Sequence, residues 1–245
     1  MSFILCIDDT DNISTPGSGQ LAQQLIETML EDDYISDCSS IARHQLFFNE
    51  AVPYTSHNSA MSFSAELGNR SLDDVIDFAS DFLRENSAAG SDPGLCVVNG
   101  IAPWDQVRIA AYGIRAKSEL LTKQSAYRFA NISGVHLSEH GGTGDGIIGA
   151  IAGAGLRITG NDGRLRGWLR LGEKGELITV AEIIRRTGVD KVVSRSDKLL
   201  SPVEKVRLSG GKIKAVFHRH MEAIPVLRDE NGRWKTLTPE QSKQY

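Results

Sequence analysis

The chain reads as an α/β or α+β body with a β-rich C-terminal segment, on three observations. Strand-length apolar runs alternate with amphipathic helical stripes through the first 175 of 245 residues. From Val189 onward the pattern turns to strands, with a hairpin signal. Two glycine-bearing segments lie where an extended or polar stretch gives way to a helix. The expected division is residues 1–175 and residues 176–245, the second packed by itself or as part of the same unit.

Ile4, Leu5, Cys6 and Ile7 have the length and apolar character of a buried strand. Residues 19–33 place Leu21, Leu25, Ile26, Met29 and Leu30 on one helical stripe. Residues 39–48 and 59–67 read as strands around a loop containing Pro53. Residues 71–86 form the clearest helix: Ser71 and Asp74 have capping-box spacing, and Val75, Phe78, Ala79 and Phe82 share a face. Residues 94–100 make a wholly apolar strand. Residues 103–131 look mostly helical, with Val107, Ile109, Leu120, Leu121 and Phe129 as core candidates. A glycine-rich run over 139–160 is too apolar for a linker. Residues 163–172 read as one strand, with Leu165, Trp168 and Leu171 unevenly alternating with charge. Thr179 and Glu182 have the spacing of a second capping box before a short helix. Asn231-Gly232 signals a hairpin, and residues 238–245 are expected to fray.

The 24 glycines are about one residue in ten, against a usual ~7%. Cys6, Cys38 and Cys96 offer neither a disulfide framework nor a zinc knuckle, and Cys6 and Cys96 fit as small core residues. No apolar stretch approaches the ~20 residues that span a bilayer, and the N-terminus lacks signal-peptide character, so a cytoplasmic location is expected. The net charge of −4 gives no overall attraction to nucleic acid. Basic residues do accumulate from Arg185 to Lys214, a pattern open to a solvated surface or a local patch.

Three windows carry chemistry. Asp8, Asp9 and Asp11 stand where the first strand emerges and repel one another unless solvent or a cation screens them. They fit either Mg²⁺ held together with substrate phosphates or a solvated loop in which Asp11 or Asn12 caps a turn. Gly141, Gly142, Gly144, Gly146 and Gly149, with Thr143 and Asp145, suit an anion-binding concavity at a helix start. Glycines 146, 149, 153 and 155 equally suit close packing of a helix on a sheet. Asn49, Tyr54, Thr55, Ser56, His57 and Asn58 gather hydrogen-bonding side chains around a proline turn.

Together these windows resemble the kinase domain of the archaeal tRNA agmatinylcytidine synthetase family, which attaches agmatine to a wobble cytidine of an isoleucine tRNA. The match is Ile7-Asp8-Asp9-Thr10-Asp11, then Gly17-Ser18-Gly19-Gln20-Leu21-Ala22, then Asn49 to Asn58, then Thr143 to Ala152. The resemblance covers residues 4–170 and implies the synthetase's kinase and ferredoxin-like architecture, with residues 1–175 as the nucleotide-binding body. It implies Mg²⁺ and ATP as cofactors. Asp8, Asp9 and Asp11 would hold the metal and, with Ser18, carry the chemistry. Gly17, Gly19, Gly142, Thr143, Gly144 and Asp145 would cradle phosphates, and Asn58 would orient the nucleotide or the acceptor. The family's Lys and Arg beside the proline turn are missing here, and Arg43 or a C-terminal cation would have to replace them. Three scattered cysteines fit no zinc ribbon, so the expectation is the kinase-like core without its RNA-gripping appendages. The resulting expectation is an ATP-dependent, kinase-like transferase acting on a small molecule or RNA, the small molecule ranked ahead of tRNA. A non-catalytic nucleotide-binding module and a metal-dependent phosphohydrolase stand as alternatives.

Overall fold

The structure, a computed structural model, describes residues 1–50 and 58–243. It divides into two compact units, Met1–Thr159 and Gly160–Tyr245. The expected boundary at 175/176 falls inside the second unit. Among the described residues no helix is long and apolar enough to cross a membrane.

The first unit contains β1 (Ser2–Asp8), α1 (Ser18–Glu31), β2 (Ile35–Cys38), β3 (Ala42–Gln45), β4 (Ser59–Leu67), α2 (Leu72–Asn86), β5 (Gly94–Val98), α3 (Pro103–Arg115), α4 (Lys123–Ser133), β6 (His136–Glu139) and α5 (Gly146–Thr159). Its sheet runs β6-β5-β1-β4, with β2 and β3 both paired to β4, and every one of these pairings is antiparallel. The alternation of side chains along β1 splits the core in two. Phe3, Leu5 and Ile7 pack with the stripes of α1 and α2, whereas Cys6 packs with α3, α4 and α5. Burial pushes the thiols of Cys6 and Cys96 upward, as befits small core residues.

The predicted 103–131 helix is two helices, with Thr122 capping the second. Val107 and Leu120 are 69% and 53% exposed and are not core; Ile109 is buried, and Leu121 and Phe129 are partly so. The edge-strand pairings that form β2 and β6 are not apparent from apolar pattern, because few of their residues are buried.

α5 is buried along almost its whole length. A Cβ at Gly153 would lie 2.5 Å from Cys6 Sγ and 2.7 Å from Ala60 Cβ, so the missing side chain lets the helix backbone settle on the sheet. At the α3–α5 crossing a Cβ at Gly113 would lie 2.6 Å from the Ala152 carbonyl oxygen, and one at Gly155 would collide with the Ile109 carbonyl.

The second unit contains β7 (Arg164–Leu165), β8 (Leu169–Arg170), β9 (Leu177–Thr179), α6 (Val180–Thr187), β10 (Lys191–Ser194), β11 (Lys205–Arg207), β12 (Lys212–Ile213), β13 (Val216–His218), β14 (Met221–Arg228), β15 (Trp234–Thr236) and α7 (Pro239–Ser242). β14 is its centre, pairing antiparallel with β13 and β15 and parallel with β10. The predicted 163–172 strand is broken between β7 and β8, with Gly167 at φ +90° in the break, and Trp168 is 45% exposed. β8 leaves to form a separate ribbon with β12. Thr179 caps α6 through the Glu182 N–H, but the Glu182 carboxylate turns to Arg185 and Arg186, so the box is half-formed. The hairpin at Asn231-Gly232 joins β14 to β15. The expected fraying at the end is replaced, up to residue 243, by α7 with a complete Thr238/Gln241 capping box.

Because the α3–α5 approach leaves no room for a methyl group, Gly113→Ala and Gly155→Ala should each destabilise the protein. The expected net loss is about 1–3 kcal/mol by urea unfolding, despite the helix-propensity gain of about 1 kcal/mol. Unchanged stability in both would mean that the two helices separate freely.

Candidate active site

β1 lies between β4 and β5, and its last residue, Asp8, points to the same side as Cys6, toward α5. Asp8 is only 8% exposed, and a Cβ on Gly149 of α5 would collide with its carboxylate. Burial foremost, then the Asp9 charge, raises its pKa to about 8, against a lowering by the Asp9 backbone N–H. Asp9 itself sits at φ +50°, which Asp tolerates better than most residues. Its pKa is raised to about 6 by burial and by the charges of Asp92, Asp11 and Asp145. The fold therefore brings Asp8, Asp9, Asp11 and Asp145 into one acidic neighbourhood and adds Asp92 from the α2–β5 connection.

The residues around this cluster have definite partners. Ser18 Oγ, at the start of α1, donates to Asp11 Oδ1 at 2.9 Å. Gly17 is the N-cap of α1 and supplies no side-chain cap, and no acid lies in the helix's first turn. The loop from Thr10 is held by the Ala88 N–H on the Thr10 carbonyl and by an Asn12 turn. Thr10 Oγ1 is buried and has no partner. Clustered carboxylate oxygens suit a hard divalent cation shared with phosphate. Among the described residues, however, no three His, Cys, Asp or Glu side chains form a set that could hold a metal ion. Asp8, Asp9 and Asp11 are thus not a closed metal cage, and ligand oxygens would have to complete any coordination.

The second glycine segment differs from the expected phosphate cradle. Gly142 and Gly144 have φ of +57° and +78°, and the turn they make directs both the N–H and the hydroxyl of Thr143 to the Asp92 carboxylate. Lys123 Nζ donates to the Thr143 carbonyl at 2.7 Å and to Glu139 at 2.9 Å, and Tyr127 donates to the other Glu139 oxygen at 2.5 Å. Thr143 consequently has no spare donor toward an anion in this arrangement. Asn58 donates from Nδ2 to the Phe47 carbonyl, and its own carbonyl accepts from Leu46 N–H and Gln45 Nε2, so it pins the ends of the 46–58 segment. Tyr54, Thr55, Ser56 and His57 lie outside the described residues. Asp92, Glu139 and Lys123 were not singled out from sequence: Asp92 precedes Pro93-Gly94 and reads as an ordinary turn residue, and Lys123 and Glu139 meet only through the fold.

The raised carboxyls make stability depend on pH. The folded protein retains protons that unfolded aspartates, near 3.8, release first. Stability from these groups is therefore complete below about pH 4 and is lost as pH rises through about 6 and then 8, by at most about 1.4 kcal/mol per pH unit per site. In chelator, Asp8→Asn should flatten the decline between pH 6 and 8 in urea unfolding. An equally steep decline in the variant would show that Asp8 ionises normally.

No family model and no curated protein matches the sequence. Solved structures match the fold. The complex of TiaS with an isoleucine tRNA and ATP gives a TM-score of 0.55 at 22% identity, over 74% of this chain and 39% of that one. Apo TiaS, a tRNA agmatidine synthetase, gives 0.54 at 21% identity, over 74% and 38%. The complex of TiaS with the same tRNA, AMPCPP and agmatine gives 0.54 at 16% identity, over 91% and 56%. This chain thus spans between two-fifths and somewhat over half of the TiaS chains it matches. Two of these neighbours are tRNA complexes, which overturns the ranking of a small molecule ahead of tRNA. That ranking rested on net charge, which sums over the surface and is blind to local patches. The chain has a TiaS-like fold of mixed α and β structure.

Proposed function

We propose that this chain is an ATP-dependent, Mg²⁺-using transferase that modifies tRNA, with its chemistry at the Asp8–Asp9–Asp11 cluster. The observation that carries the reading is the concentration of carboxylates, two with raised pKa, at the end of the central strand. It is supported by a fold shared with complexes of ATP, AMPCPP, agmatine and tRNA. ATP with Mg²⁺ would supply an activated phosphoryl group whose charge needs neutralising and positioning more than covalent help.

The chain's own residues have separable tasks. Asp8 and Asp9 would hold a divalent cation as ionised carboxylates, a form that a nearby positive charge favours, and the cation would supply charge neutralisation for the phosphates. The uncapped amino end of α1 offers backbone N–H groups to phosphate oxygens. Ser18 orients Asp11 through its hydroxyl. Lys123, Glu139 and Tyr127 hold the loop carrying Gly142, Thr143, Gly144 and Asp145, and Thr143 would exchange Asp92 for a phosphate oxygen on binding. A second reading, a nucleotide-binding module without turnover, is favoured by one observation: both Thr143 donors are engaged by Asp92.

The test is ATP consumption by the full chain with Mg²⁺, tRNA and agmatine. Turnover should require tRNA, and Asp8→Asn should lower it at least about 100-fold while leaving tRNA binding in place. Turnover indifferent to tRNA, or equal in the variant, would overturn the assignment. ATP binding with no turnover would establish the second reading.

A further inference from the structure

The β8–β12 ribbon carries an arrangement that packing alone does not account for. Arg170 and Lys212 are direct register partners across two antiparallel strands, and both are exposed. Like charges placed opposite each other disfavour the pairing unless an anion lies between them. The inward pair of the same ribbon, Leu169 and Ile213, is apolar, and Ile213 is buried. One step along that register on the outward face, Trp168 meets Lys214, whose ammonium lies 4.8 Å from the ring centroid. The Lys214 ammonium also donates to the carbonyls of Leu165 and Gly167, so the cation over the indole is held in place. Two other cations of the basic C-terminal stretch are spent differently: Arg185 and Arg186 both pair with Glu182.

From this juxtaposition we propose that the outward face of the β8–β12 ribbon binds an unpaired segment of RNA. A base stacks on Trp168, and the neighbouring phosphate bridges Arg170 and Lys212. An exposed aromatic face flanked by cations is the chemistry that grips single strands, since stacking accepts every base and the cations track the backbone. RNA is the occupant because the ribbon offers a flat ring beside paired cations, whereas a membrane surface would call for an apolar cluster, and the outward positions beside Trp168 on the ribbon are Arg170, Lys212 and Lys214. The inference rests on the tRNA-modifying reading and deepens it by locating where the partner is held.

Fluorescence anisotropy with labelled oligouridylate, on the full chain without ATP, tests it. Trp168→Leu should weaken binding about 5- to 100-fold. Arg170→Ala with Lys212→Ala should make the log–log salt dependence shallower by about 0.7, for the one bridged phosphate contact that is lost. Arg185→Ala should leave affinity within about twofold, because Arg185 is already paired with Glu182. Thermal midpoints close to the parent's show that the variants fold, and Trp168→Phe, which keeps a stacking ring, should recover most of the affinity. Unchanged affinity and salt slope in the Trp168 and Arg170/Lys212 variants would overturn the proposal. Binding to phosphatidylglycerol vesicles with none to oligouridylate would do the same. The two readings fail separately: oligonucleotide binding is measured without ATP, and tRNA-dependent ATP turnover does not require the ribbon variants.

Discussion

The close seating of α5 on the central sheet is the constraint on which the first unit depends. Gly149 and Gly153 remove the side chains that would hold the helix away from β1, and Gly155 with Gly113 does the same against α3. Without those methyl groups the helix backbone reaches the end of β1 and roofs over Asp8. Tight packing contributes dispersion and excludes water together. It therefore also makes the site's electrostatics: a carboxylate at a strand end would normally be solvated, and here it is dry enough to hold its proton to about pH 8.

A cluster of like charges around one buried carboxyl is costly, and the surroundings show how the fold manages it. Asp11 accepts from Ser18, Asp92 from Thr143, and Glu139 from Lys123 and Tyr127. Asp8 and Asp9 are left with mainly carboxylate neighbours. An arrangement that stores electrostatic repulsion at one point suits a site whose charge is balanced on ligand binding, and natural proteins concentrate such unfavourable placements at functional positions. The contacts around Thr143 also give the glycine loop a defined resting conformation, with Asp92 bonded to donors that precede the start of α5.

Charge in the second unit is organised locally. Glu182 pairs with two arginines of α6, and Glu204 lies near Lys198 and accepts from Trp234. The β8–β12 ribbon instead sets two cations opposite each other beside an exposed indole. A net charge of −4 is compatible with such a patch, because association with a polyanion depends on cations within a Debye length of its phosphates and not on the sum over the molecule.

The sequence by itself determined the elements whose signals are local. These include the apolar strand ending in three aspartates, the α1 stripe, the capping box of α2, the Asn231-Gly232 hairpin, and a glycine-rich helix packed on a sheet. It also carried the motif order that resembles the synthetase fold. Tertiary structure decided what depends on contacts between distant residues. Val107 and Leu120 are apolar, yet the fold leaves them in solvent; Trp168 sits beside a strand break and faces outward. Asn58 and Thr143 look like ligand-binding side chains but spend their donors on backbone and on Asp92, because a polar group withdrawn from water takes the nearest partner the fold offers. Asp92 and Lys123 have no marking in the linear pattern, since their roles arise where separate connections meet. Periodicity and turn chemistry are written in neighbouring residues, whereas desolvation and charge proximity exist only once the chain has closed on itself.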